Sequence, residues 1–166
     1  TEMGVAKPKV ALLPTFVLPD ETGEMQAVCD STPIIRRLEA EHKGRSVIPT
    51  DPAMAFIDYL LEDFADEWGT KYMFHYRWHY APDIDRASKT IPLHWGGLQL
   101  DEKIYAASKA FFFKRQIDRL PVIGSNPTTA PLMEAGYLRL LGLLDAHFSQ
   151  YAFLMGARPG ASDFAL

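Results

Sequence analysis

A proline sits inside the first apolar run of this chain, and it limits what that run can become. Leu12-Leu13-Pro14-Thr15-Phe16-Val17-Leu18 is apolar, β-branched and aromatic enough for a strand. Proline has no amide hydrogen for a ladder, so Pro14 belongs at an edge, a bulge or a strand start. The Leu13–Pro14 bond is also the one type in which a cis peptide costs little. Pro19-Asp20-Glu21-Thr22-Gly23 is turn chemistry of the hairpin kind, and Met25 to Cys29 supplies a second strand. Asp30 or Ser31 then caps a helix on which Ile34, Ile35 and Leu38 share one face. The predicted order is β-β-α. With the Leu13 amide and carbonyl turned outward, and a hydroxyl and free amides at the positive end of a helix dipole, the region suits a zwitterionic amino-acid group. Its carboxylate would meet the helix start and Ser31, its ammonium Asp30.

These residues resemble a known family. Leu-Pro-Thr-Phe-Val-Leu, a turn with Gly23, and Asp-Ser-Thr-Pro-Ile-Ile-Arg-Arg-Leu-Glu are similar to the second half of the thioredoxin-like domain of glutathione transferases. In that family the residue before a cis-proline pairs its backbone with the cysteinyl unit of glutathione, and an acidic-Ser pair at the next helix start holds the γ-glutamyl end. The resemblance implies those roles for Leu13 with Pro14, and for Asp30 with Ser31.

The net charge of −4 has both signs interspersed and no basic run, which argues against nucleic acid or an anionic membrane as partner. An apolar share of 48% is that of a packed protein. A single cysteine, Cys29, makes no internal disulfide and suits a reducing compartment, and no apolar run is long enough to span a bilayer. We expect a cytoplasmic protein. Cys29 follows from the same pattern as a small strand-end residue rather than a reactive thiol.

Gly44 to Pro52, with two prolines flanking Thr-Asp, reads as a linker ending in a helix cap. From Pro52 a helical pattern runs through Met54, Ile57, Leu61, Phe64 and Trp68 to Tyr72, Tyr76 and His79 or Tyr80, with a bend expected at Gly69. Ala81 to Asp85 should break it, Ile91 to Gly97 should be a loop, and helices are expected over 98–117 and 132–148. Leu138, Leu141, Leu143 or Leu144, and Phe148 form the stripe of the latter. His75 and His79 have the i, i+4 spacing of metal ligands, with His94, Asp83 or Asp85 as distant thirds. Tyr76 stands where a His-Glu-x-x-His motif needs Glu, and we assign no metal. Tyr72, His75 and Tyr76 suit a wet apolar pocket as well as ordinary packing, and the resemblance implies an electrophile pocket that borrows from this helix.

Phe153 to Leu166 again resembles the family, in its apolar residues followed by Gly, Pro, a helix cap and Asp. Asp163 fits the N3 acid of a capping box, while Gly160 stands where Ser or Thr would cap, leaving half of the box. The expected fold is α/β thioredoxin-like over 1–48, incomplete in this sequence, followed by an all-α bundle over 49–166 that is also cut short. Residues are expected beyond both ends, including the strand-helix turn that carries the family's thiol-activating residue. The implied activity is conjugation of glutathione, as co-substrate, to a small electrophile by a homodimer. The alternative is a non-catalytic member that binds a ligand or protein with the same fold.

Overall fold

The computed structural model describes residues 4–8, 10 and 12–166. The chain is mostly helical, with one two-stranded antiparallel sheet. Strand β1 (Thr15–Pro19) pairs with β2 (Met25–Cys29) in a register that sets Thr15 opposite Cys29 and Pro19 opposite Met25. The sequence places strand from Leu12. The ladder instead begins one residue after Pro14, the strand-start position a residue without an amide hydrogen can hold. The expected entry near Val10 falls partly on residues 9 and 11, which lie outside the described residues. Asp20 closes the hairpin: its Oδ1 accepts from the Thr22 and Glu24 amides at 2.8 and 3.0 Å. Gly23 takes the positive φ of 88° that the turn requires.

Helix α1 (Ser31–Glu41) follows with Asp30 as N-cap and Ile34 buried. Helix α2 (Pro52–Phe64) starts at the predicted signal, with Asp51 accepting from the Met54 amide at 2.9 Å and Pro52 in the first turn. The chain then stays helical through one π-turn, Ala65–Gly69, into α3 (Thr70–Trp78). The expected irregularity at Gly69 is thus a π-turn that ends there.

The largest departure from expectation is α4 (Ala81–Gly96), which covers both the predicted break and the predicted loop. Pro82 lies in the first turn, where its missing amide costs nothing. Pro92 lies inside the helix and cannot donate to the carbonyl of Ser88. Gly97, at φ 80°, ends the helix by donating to the Leu93 carbonyl at 2.9 Å. Helices α5 (Glu102–Ile117) and α6 (Ala130–Phe148) match the predicted pair, and α7 (Ser162–Ala165) closes the chain.

By contact the chain forms two compact units. One takes the chain up to Ala65 together with Phe148–Leu166, so it holds the hairpin, α1, α2 and α7. The other, Asp66–His147, holds α3, α4, α5 and most of α6. The resemblance places a boundary at 48/49, whereas α2 and α7 pack together in the unit that carries the hairpin.

Candidate functional site

The hairpin and α1 bring together two pairs of residues that lie far apart in sequence. The Leu13–Pro14 peptide is cis, and the carbonyl of Pro14 accepts the Asp30 amide at 3.1 Å. This single bond joins the segment before β1 to the start of α1. Leu13 is 79% exposed, and its amide and carbonyl bond to no other described residue. Asp30 caps α1 through its Oδ1, which accepts the Thr32 amide at 3.2 Å, leaving Oδ2 open. Ser31 keeps its amide and hydroxyl free of bonds to described residues, and Pro33 has no amide to offer. Leu13 and Pro14, both exposed, and the half-buried Asp30 and Ser31 therefore form one ledge. It presents unpaired backbone groups on one side and a carboxylate and hydroxyl on the other.

Asp30 holds φ 81°, the one positive φ among described residues other than glycine. Such a conformation costs on the order of 1–3 kcal/mol and persists only where its surroundings enforce it. Here the amide bond to Pro14 and the cap of Thr32 do so. Cys29, next along, turns its thiol toward the Val10 carbonyl at 3.4 Å.

Behind the ledge stands a pair of acids that sequence reading missed. The predicted inner stripe of α2 included Met54 and Ile57, yet these are 41% and 43% exposed, while Asp58 and Glu62 are buried. Glu62 Oε1 accepts Thr32 Oγ1 at 2.7 Å, and its Oε2 meets Arg36 Nη2 at 3.3 Å. The Arg36 guanidinium also lies over the Tyr59 ring, 5.6 Å from its centre. Asp58 serves the other end of this unit. Its oxygens accept the Ala161 and Ser162 amides, both at 3.1 Å, and the Ser162 hydroxyl at 2.6 Å.

Two carboxylates hold the start of α7. Asp163 Oδ2 accepts the Gly160 amide at 2.8 Å, the half expected from sequence. The Asp163 amide donates to the Gly160 carbonyl at 3.2 Å rather than to a side chain, and Asp58, reaching from α2, takes the Ala161 and Ser162 amides instead. A Cβ on residue 160 would overlap Asp58 Oδ1 and stand 2.7 Å from Met155 Cγ, so Gly160 is there because the capping carboxylate comes from another helix. The detectable signal was a pair of acids at i, i+4, Asp58 and Glu62, within a mostly apolar helix whose third acid, Asp63, is exposed.

The second predicted cluster, Tyr72, His75 and Tyr76, lies in the other unit. His75 is fully buried, with Nδ1 2.8 Å from Ser125 Oγ and Nε2 3.4 Å from Glu134 Oε1. Tyr80 donates its hydroxyl to the same Glu134 oxygen. Tyr72 and Tyr76 pack on Tyr137, with ring centres 5.5 and 5.2 Å apart, and His79 stacks on His75 at 4.5 Å. Both ring nitrogens of His75 are thus engaged. The Tyr80 hydroxyl, then His75, hold the Glu134 carboxyl below its ordinary range. In return Glu134 raises Tyr80, and burial raises Tyr76. A groove of this unit, lined by Arg77, Leu93, Phe111, Phe112 and Arg115 among others, takes in none of the three predicted pocket residues.

Among the described residues no three His, Cys, Asp or Glu side chains group as metal ligands, and no helix is long and apolar enough to cross a membrane. No family model, no curated protein and no solved structure matches this chain.

Proposed function

We propose that this chain is a glutathione transferase-like protein whose hairpin and α1 are the second half of a thioredoxin-like domain. The ledge binds glutathione for conjugation to a small electrophile. The observation that carries this reading is the bond from the Asp30 amide to the Pro14 carbonyl, because it sets the exposed backbone of Leu13 beside Asp30 and Ser31. A γ-glutamyl group has an ammonium for Asp30 Oδ2 and a carboxylate for the Ser31 hydroxyl and amide at the start of α1. The cysteinyl backbone then pairs with the Leu13 amide and carbonyl as an added strand residue would. The strained backbone of Asp30 supports a binding role, since a cap alone is served equally well by ordinary dihedrals. In this reading the protein works as a cytoplasmic homodimer.

Calorimetry tests it. Glutathione titrated into wild type should give a dissociation constant between about 1 µM and 1 mM, the range of ordinary substrate affinities. The Asp30→Ala/Ser31→Ala variant, folded by circular dichroism, should give none. Absence of heat and of thermal stabilisation in wild type at saturating glutathione would remove this reading in favour of a non-catalytic binding module.

A further inference from the structure

We infer, building on the glutathione reading, that Glu62 is the positioning residue of the ledge. It is 3% exposed and sits on α2, yet both of its oxygens are spent on α1. Oε1 takes the hydroxyl of Thr32, the residue directly after Ser31, and Oε2 takes Arg36, one turn later. Two anchor points on successive turns fix both the rotation of α1 about its axis and the height of its first turn. Those two variables decide where Ser31 and the Asp30 carboxylate stand relative to Leu13. The burial explains the choice of residue. A carboxylate withdrawn from water is tolerated only when its lone pairs are met, and Thr32 and Arg36 meet them from the helix that bears the site. Glu62 itself touches no ligand group in this arrangement; it acts through Thr32.

Because Glu62→Leu would strand Thr32 and Arg36 and endanger the fold, the link is better cut from the other side. Thr32→Val removes the hydroxyl at nearly constant volume, and Thr32→Ser keeps it. Amide hydrogen exchange is read at Thr32 and Ile34, whose amides bond to the Asp30 side chain and carbonyl. Glutathione affinity is read alongside. The control is Asp58→Asn, one turn away on the same helix and equally buried, but directed to α7.

Thr32→Val should speed exchange at both amides and, by loosening the first turn of α1, weaken glutathione binding roughly threefold to tenfold, about the net worth of one ordinary hydrogen bond. Thr32→Ser should restore both. Asp58→Asn should lower the melting temperature and leave affinity unchanged. Unchanged exchange and affinity in Thr32→Val, or an equal loss in Asp58→Asn, would overturn the role. If wild type takes up no glutathione, the functional reading falls alone. The exchange rates then decide the matter without it: faster in Thr32→Val supports the positioning role and equal rates overturn it.

Discussion

Asp58 and His75 are both withdrawn from water, one in each unit, and they are satisfied in opposite ways. Asp58 meets two backbone amides and one hydroxyl at the start of α7, with no cation nearby among its partners. His75 meets only side chains, Ser125 and Glu134, with Tyr80 behind them. Backbone donors are present whatever residues occupy the loop, so the Asp58 joint depends on that one carboxylate, on the Ser162 hydroxyl and on the absence of a side chain at Gly160. The His75 joint depends on four side chains at once. A carboxylate clasping a helix start makes a stiff local joint; a chain of titratable side chains makes one whose strength varies with pH.

Removing Asp58 should give the largest effect. Asp58→Ala leaves two amides and a hydroxyl buried without acceptors, and should cost about 3–5 kcal/mol by urea unfolding. Gly160→Ala attacks the same joint from inside. Its methyl group collides with Asp58 and Met155, for about 1–3 kcal/mol. The double variant should cost less than the sum, because once the carboxylate is gone the methyl has room. Strict additivity would show that the two residues do not compete for one space.

His75→Phe keeps the ring but strands Ser125 and Glu134. Glu134 is a third exposed and can turn to water, while Ser125 is buried, so the cost should be smaller, about 1–3 kcal/mol. A loss as large as that of Asp58→Ala would mean that the two kinds of joint are equally stiff.

The comparison also bears on what could be foreseen. The hairpin, the Asp30 cap, the start of α2 and the Asp163 half of the box were legible because each is local: turn residues, caps and proline act within four positions of themselves. The ledge was legible through its resemblance and through Pro14, which tied an edge position to a nearby helix start. Asp58 and Glu62 were not, since periodicity assigns the inward face of a helix to its apolar residues. Here α2 turns two acids inward to meet donors 30 and about 100 positions away. Pro92 misled for the converse reason. A proline ends a helix by local rules, but Pro92 is buried within α4, whose packing against α3 and α5 outweighs one lost backbone bond.

The side-chain joint should reveal itself in pH. Glu134, held below the ordinary 4.5 chiefly by the Tyr80 hydroxyl, contributes stability present above that value and lost as pH falls through its lowered folded value. Tyr80, raised above 10.0 chiefly by Glu134, contributes below 10.0 and loses it as pH rises through its raised folded value. Tyr80→Phe removes the largest cause of the Glu134 shift and abolishes the Tyr80 titration itself. Stability against pH should therefore be shallower in the variant on the acid side of 4.5 and on the alkaline side of 10.0. Asp58→Asn should not produce this paired flattening. Parallel curves for wild type and Tyr80→Phe would remove the distinction between the two joints.

The smallest stability change belongs to the ledge, where the two units' joints have no direct part. Asp30→Gly releases a positive φ that glycine adopts freely, a gain of about 1 kcal/mol, and gives up the bond to the Thr32 amide, a loss of about a few tenths of a kcal/mol for Gly at a cap. The melting temperature should hardly move. On the proposed reading glutathione affinity should nonetheless collapse, since the carboxylate assigned to the ligand ammonium is gone. Stability held while binding is lost would mark Asp30 as a residue kept for a ligand at a local conformational cost. A clear drop in melting temperature would instead make it a cap like Asp51, needed by its helix and by nothing else.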